Sequence, residues 1–244
     1  DWELQIQGFP VIGSGPARAL ALNRRMPAAV ASKRDAYEEA GYVINSPPEI
    51  YEKIGYRDFS DVAVIALESP VLPTNETLQG IAEQCGVEPR RLYAIVAPTS
   101  SIVGSVQVAA RVLEVGIHKL GLLGFDLKKI VSGSAYSAIA PVHPDSDEAM
   151  GRTNDMIWYG GVTFYTVECD DEDVRRIISR IPAEASKDYD KGFAEIFRGA
   201  RHGFYDVDLG SFAPAIVTIN NARTGSTFTA GRVNPEALRR MLIS

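Results

Sequence analysis

Apolar and polar positions change rhythm several times along the chain. "DVAVIALES" (61–69), "RRLYAIVAP" (90–98) and "KIVSGSAYSAIA" (129–140) are apolar runs of strand length, and "VTFYTVEC" (162–169) alternates as a strand does. Between the first two, "PTNETLQGIAEQCG" (73–86) spaces Leu78, Ile81, Ala82 and Cys85 at helical intervals. A Thr74 or Asn75 cap stands before it and a Gly86 stop after it. Residues 145–161 predict a helix over at least part of their length, and 170–181 predict one that opens on acids and closes on bases, as the helix dipole favours. "KGFAEIFRGA" predicts a short helix, 215–231 a hairpin, and "NPEALRRMLIS" a helix begun by proline. Near the start, "GFPVIGSGPARALAL" predicts a short extended piece, a glycine-rich turn and a helix with Pro16 at its first position. Residues 24–58 are charged and irregular, and predict two short helices in a surface insertion. Strands alternating with helices, with a hairpin near the end, give a mixed α/β to α+β fold in two lobes.

The segment "GSVQVAARVLEVGIHKLG" (104–121) is the most informative helix. At about 100° per residue, Gln107, Arg111, Glu114 and His118 fall within about 60° of one another. The rest of the circumference is apolar or small, so the helix is expected to be buried almost all round. Two readings of the polar line stay open. It is a solvent-facing strip with a weak Arg111–Glu114 pair, or it faces an interlobe cleft, where a partly desolvated glutamate beside a guanidinium handles protons.

Composition narrows the choice of partners. The 244 residues are 45% apolar and 23% charged, enough for a sizeable core, with net charge −6. That balance argues against nucleic acid or a membrane surface as partner, since both favour a basic face. No apolar run reaches transmembrane length and no signal peptide opens the chain, so a cytoplasmic setting is expected. Cys85 and Cys169 are read as structural thiols. His118, His143 and His202 share no ligand spacing, so no metal site is expected.

Other stretches add candidate contacts. "GSGPAR" (13–18) offers backbone amides and Arg18 to an anion, or forms a plain turn and cap. "APTSSIVGS" (97–105) places hydroxyls between a strand and a helix, either capping that helix or lining the cleft. "GRTND" (151–155) can pair with a polar heterocycle or satisfy its own backbone.

Taken together, "GSGPARAL", "DVAVIALES", "APTSSIVGSVQVAARVLEVGIHK", "GRTNDMIWYGG" and "KGFAEIFRGARHGFYDVDLGSFAPA" resemble the methenyltetrahydromethanopterin cyclohydrolase family, over most of residues 1–20 and 56–240. The resemblance implies hydrolysis of the methenyl bridge of 5,10-methenyltetrahydromethanopterin to the 5-formyl product, in the one-carbon metabolism of methanogenesis and formaldehyde oxidation. It implies no cofactor beyond the pterin substrate, and a homo-oligomer, a trimer, with the pterin between two α/β-type lobes. The family's catalytic Arg and Glu match Arg111 and Glu114; Ser14, Arg18, Thr99, Ser101 and Asn154 become candidate substrate contacts. Family members carry a further N-terminal portion ahead of "DW", and residues 22–55 look longer than the family's usual link. The expected division is therefore 1–60 as the remainder of an N-terminal lobe plus an insertion, and 61–244 as the main α/β portion. The alternative function is a non-catalytic pterin- or phosphate-binding module, or a structural subunit whose polar line is an interface.

Overall fold

The computed structural model describes residues 11–14, 61–199 and 207–243. The helix expected from Pro16, the two short helices and insertion expected before residue 60, Arg18 and His202 lie outside them. The chain divides into two compact units: residues 1–17 with 100–244, and residues 18–99. The boundary expected after residue 60 falls inside the second unit.

Within residues 61–99, strand β1 being Val11–Ser14 of the other unit, a βαβ unit is formed by β2 (Ala63–Glu68), α1 (Asn75–Cys85) and β3 (Leu92–Ala97). The two strands pair in parallel from Ala63↔Leu92 to Glu68↔Ala97. Both ends of α1 follow from the sequence. Thr74 accepts the Thr77 N–H at 3.2 Å. Gly86 turns the chain at φ 67°, while the Gly86 and Val87 amides cover the Glu83 and Ala82 carbonyls. That closes the helix with a Schellman motif, a conformation in which a Cβ is penalised.

The larger unit is built on one mixed sheet. It comprises β1, β4 (Ile130–Ala138), β5 (Val162–Val167), β6 (Ile216–Asn221) and β7 (Thr227–Gly231), in the order β1-β4-β5-β6-β7. Every neighbouring pair is antiparallel except β5–β6, which is parallel. The hairpin expected at 215–231 is β6–β7. Its strands enclose Gly225 at φ 75°.

Register explains the two faces of this sheet. Gly133, Ala135 and Ser137 on β4, Thr163, Tyr165 and Val167 on β5, and Val217, Ile219 and Asn221 on β6 are all buried. Against the sheet lie α2 (Ile102–Ala110), α3 (Val112–Leu122) and α4 (Ser146–Gly160). The alternate residues Ser134, Phe164 and Asn220 stay exposed. A mixed sheet with one wet face reads as alternation, which is why β5 was legible.

A second core lies beyond α4. Met156, Trp158 and Tyr159 pack with Ala183, Ala213, Ala237 and Leu238. Leu238 belongs to the closing helix α7 (Pro235–Ile243), and Phe193 opens the short α6 (Phe193–Gly199). The polar tips of these aromatics are satisfied: Trp158 Nε1 donates to the Ser211 carbonyl, and Tyr159 Oη to that of Tyr189 at 2.6 Å. Each fully buried large side chain stabilises the fold by about 1.5–3 kcal/mol.

The helix expected over 170–181 is shorter than its pattern. Helix α5 spans only Asp171–Arg175, and a 3₁₀ turn follows at Ile178–Arg180. Val174, Ile177 and Ile181 are all buried nonetheless. The apolar spacing is served by a short helix plus a tighter turn, two structures that periodicity does not separate. No described helix is long and apolar enough to cross a membrane.

Candidate active site

The polar line sits on two helices, not one. Helix α2 starts at Ser101, whose hydroxyl accepts the Gly104 N–H at 3.0 Å. It ends at Ala110, and α3 begins at Val112. Arg111 stands between them with φ −82° and ψ −2°. Its N–H reaches back three residues to the Val108 carbonyl at 3.0 Å, while its own carbonyl accepts from Val115 at 2.9 Å. The chain thus tightens through one turn and resumes as α-helix. Neither proline nor glycine marks the spot.

Burial around the two helices follows the expected stripe in part: Ala110 is exposed, and Val106 and Val115 are half-buried. Val108, Ala109, Val112, Leu113, Gly116, Ile117 and Leu120 are buried, while Gln107, Glu114 and His118 are half-buried and Arg111 is exposed. Arg111 Nη1 lies 3.7 Å from Glu114 Oε1, with 43% and 34% of the two side chains accessible. This is an ion pair, but longer than a hydrogen bond. The donors of the guanidinium and the oxygens of the carboxylate are not spent on each other.

The electrostatics of Glu114 follow from its place. Burial pushes its carboxyl above the usual range, and the Arg111 guanidinium pulls it part of the way back. A third of the side chain still meets water, so the group is neither sealed nor free. A carboxylate held in that state accepts a proton more readily than an ordinary surface glutamate and can return it.

The other candidates fall in several places. Ser14 ends β1, opposite Ala135 of β4, on a strand against which α2 packs. Ser101 is the N-cap of α2. Thr99 is buried and belongs to the other unit. Asn154 lies on α4, and its Nδ2 donates to the Met150 carbonyl at 2.9 Å.

"GRTND" is neither a turn nor an open polar cluster but part of α4. Thr153 also donates to the Met150 carbonyl, at 2.9 Å. Asp155 accepts the Phe193 N–H at 3.0 Å and ties α6 to α4. Gly151 touches α6 so closely that a Cβ would stand 2.6 Å from that of Ala194. In this cluster a buried donor, Arg152 Nε, has no hydrogen-bond partner among the described residues.

Among the described residues one carboxyl and one amine side chain are buried, Asp155 within "GRTND" and Lys119, which no motif marks. Burial raises Asp155 to about 7. Lys119 is 8% exposed, donates to the Gly210 carbonyl and has its pKa lowered by burial. Lys119 occupies a position in the helix that buries Leu120 and Ile117, and an apolar neighbourhood is the one sequence signal that marks it. Among the described residues no three His, Cys, Asp or Glu side chains gather where they can hold a metal ion.

Comparison with known proteins points to one family. The family model described as Cyclohydrolase (MCH) matches residues 43–242. A protein named methenyltetrahydromethanopterin cyclohydrolase from Methanothermobacter marburgensis is 43% identical over 239 residues, covering 97% of this chain and 68% of that protein. Proteins of the same name from Methanocaldococcus jannaschii and Methanococcoides burtonii are 41% and 42% identical, over 99% and 97% of this chain and 68% and 67% of their own lengths.

Proposed function

We propose, from the premise that this chain belongs to the methenyltetrahydromethanopterin cyclohydrolase family, that it hydrolyses the methenyl bridge of 5,10-methenyltetrahydromethanopterin to the 5-formyl product, with Glu114 moving the protons and Arg111 setting its charge. The observation that carries the assignment of residues is the Arg111–Glu114 pair at 3.7 Å, whose glutamate is held above its ordinary pKa.

The substrate bridge is an amidinium-like cation whose carbon is already electrophilic. Water attacks that carbon, and as the C–O bond forms the water proton passes to the Glu114 carboxylate. The carbinolamine then collapses. The bond from carbon to one nitrogen breaks, that nitrogen takes the proton from Glu114, and the hydroxyl proton leaves as the formyl C=O forms. One water is consumed and one proton is released overall. Proton transfer by a placed carboxylate is worth about 10²–10⁴ in rate. The negative charge of Glu114 also favours the cationic substrate, and Arg111 stabilises the oxygen that develops on the carbinolamine.

Arg111 Nη1 and Glu114 Oε1 lie 3.7 Å apart, so both side chains address one small reacting centre. In the same unit, Ser14, Ser101 and Asn154 are proposed contacts for the pterin. A cytoplasmic homo-oligomer, a trimer, is the proposed setting, which light scattering on the purified protein tests.

The direct test follows the methenyl-pterin absorbance when protein is added. Loss of the chromophore well above the buffer rate supports the cyclohydrolase. A spectral shift without turnover contradicts it and describes a binding module. No effect at all contradicts it as well.

A further inference from the structure

The back of helix α3 holds a contact that the mechanism has not used. We propose that Tyr165 is a positioning residue for Glu114, fixing the first turn of α3; this rests on the assignment of Glu114 as the proton carrier.

Tyr165 comes from β5 and is 1% exposed. Its hydroxyl donates to the Leu113 carbonyl at 2.7 Å. That carbonyl belongs to the peptide group whose nitrogen is Glu114's, so the bond holds the plane from which the Glu114 side chain departs. The phenol fits because two elements carry glycine where it passes. A Cβ on Gly116 of α3 would stand 2.1 Å from Tyr165 Oη, and a Cβ on Gly133 of β4 would stand 3.1 Å from Tyr165 Cδ1 and 3.0 Å from Leu113 Cδ1. Gly116, Leu113 and Leu120 face the sheet, while Glu114 points away from it, more than about 100° around the helix.

The place matters because the helix is interrupted one residue before α3 begins. A helix start lacks the preceding turn's regular hydrogen bonds, so its rotation is set by whatever else grips it. Here the grip is a buried hydrogen bond from a phenol of β5 that passes Gly133 of β4 and Gly116 of α3. A rotation of α3 would swing the carboxylate relative to both Arg111 and the substrate carbon, and displacements of about 1 Å cost on the order of 10²-fold in rate.

The test uses Tyr165→Phe, which keeps the ring and removes the hydroxyl, beside Glu114→Gln in the same assay. The expected result is a kcat about tenfold lower with KM within about twofold. The acidic limb of the rate profile also moves to lower pH, because a looser first turn admits water to Glu114 and burial is the larger influence on it. Wild-type kcat and an unmoved limb in Tyr165→Phe, with Glu114→Gln strongly impaired, overturn the positioning role and leave the proton carrier standing. Normal turnover by Glu114→Gln overturns both. A second pair guards against simple loss of fold. Gly116→Ala drives a methyl into the phenol hydroxyl and lowers kcat. Adding Tyr165→Phe then restores part of it, since the nearest remaining ring atom is 3.1 Å away. Strictly additive losses in the double variant overturn the proposal.

Discussion

Two polar clusters stand on helices of the same unit, and they spend their hydrogen bonds differently. In Gly151–Asp155, Thr153 and Asn154 both turn back to the Met150 carbonyl, Asp155 is committed to the Phe193 amide, and Arg152 Nε has no partner among the described residues. At Arg111 and Glu114 the charged atoms are 3.7 Å apart, each keeps a face toward water, and the carboxyl is held above its usual range. The first cluster joins α4 to α6. The second has capacity left for a substrate. Residue types in the two stretches are equally suggestive, but Asp155 is spent on fastening while the ion pair leaves both of its partners open to a substrate.

The largest effect that tests this contrast is on turnover. Glu114→Gln is expected to lower kcat by about 10²–10⁴, to weaken substrate binding modestly as the charge facing the cation is lost, and to leave the melting temperature little changed. A loss of stability as large as the loss of rate would place Glu114 with the fasteners instead.

Asp155 should behave in the opposite way. Its folded pKa of about 7 lies above its ordinary value of 3.8. Between those values the folded state binds more protons than the unfolded one, so stability is greatest at low pH and falls as pH rises through that window, by about 4 kcal/mol. Asp155→Asn keeps an acceptor for Phe193 and should flatten the slope, measured as denaturation midpoints from about pH 4 to about pH 8. A slope unchanged by the substitution would mean the proton resides elsewhere.

Arg111→Gln removes the influence that lowers the Glu114 pKa. The acidic limb of activity should therefore move to higher pH, with a rate loss of about tenfold or more. The smallest expected effect is at Ser101. Its alanine variant loses a helix cap, about 1 kcal/mol and about 2–4 °C of melting temperature. A rise in KM out of proportion to that change would show that Ser101 also touches the pterin.

Much of this contrast could be read before the fold was seen, and the reasons are local. The Thr74 cap, the Gly86 stop and the alternation through β5 are written in neighbouring residues, and each element formed where its signals lie. The narrow line of Gln107, Arg111, Glu114 and His118 falls on the accessible side of a mostly buried segment, which Ala110, Val106 and Val115 share. The interruption at Arg111 was not legible, because Ala109, Ala110, Arg111 and Val112 all suit a helix. The 3₁₀ turn after Arg175 hid behind apolar spacing that either helix type satisfies. The commitment of Asp155 depends on Phe193, 38 residues away. The slot for Tyr165 needs Gly116 and Gly133 brought together from separate elements. Nothing within a window of sequence announces either contact.

The account stands on Glu114 as the group whose titration limits the rate, and the pH profile of kcat, measured for the wild type beside Glu114→Gln, tests this most directly. The expected profile for the wild type has an acidic limb above the ordinary glutamate value of 4.5, and that limb vanishes from the residual activity of the variant. The same limb persisting in Glu114→Gln would show that another group carries the proton.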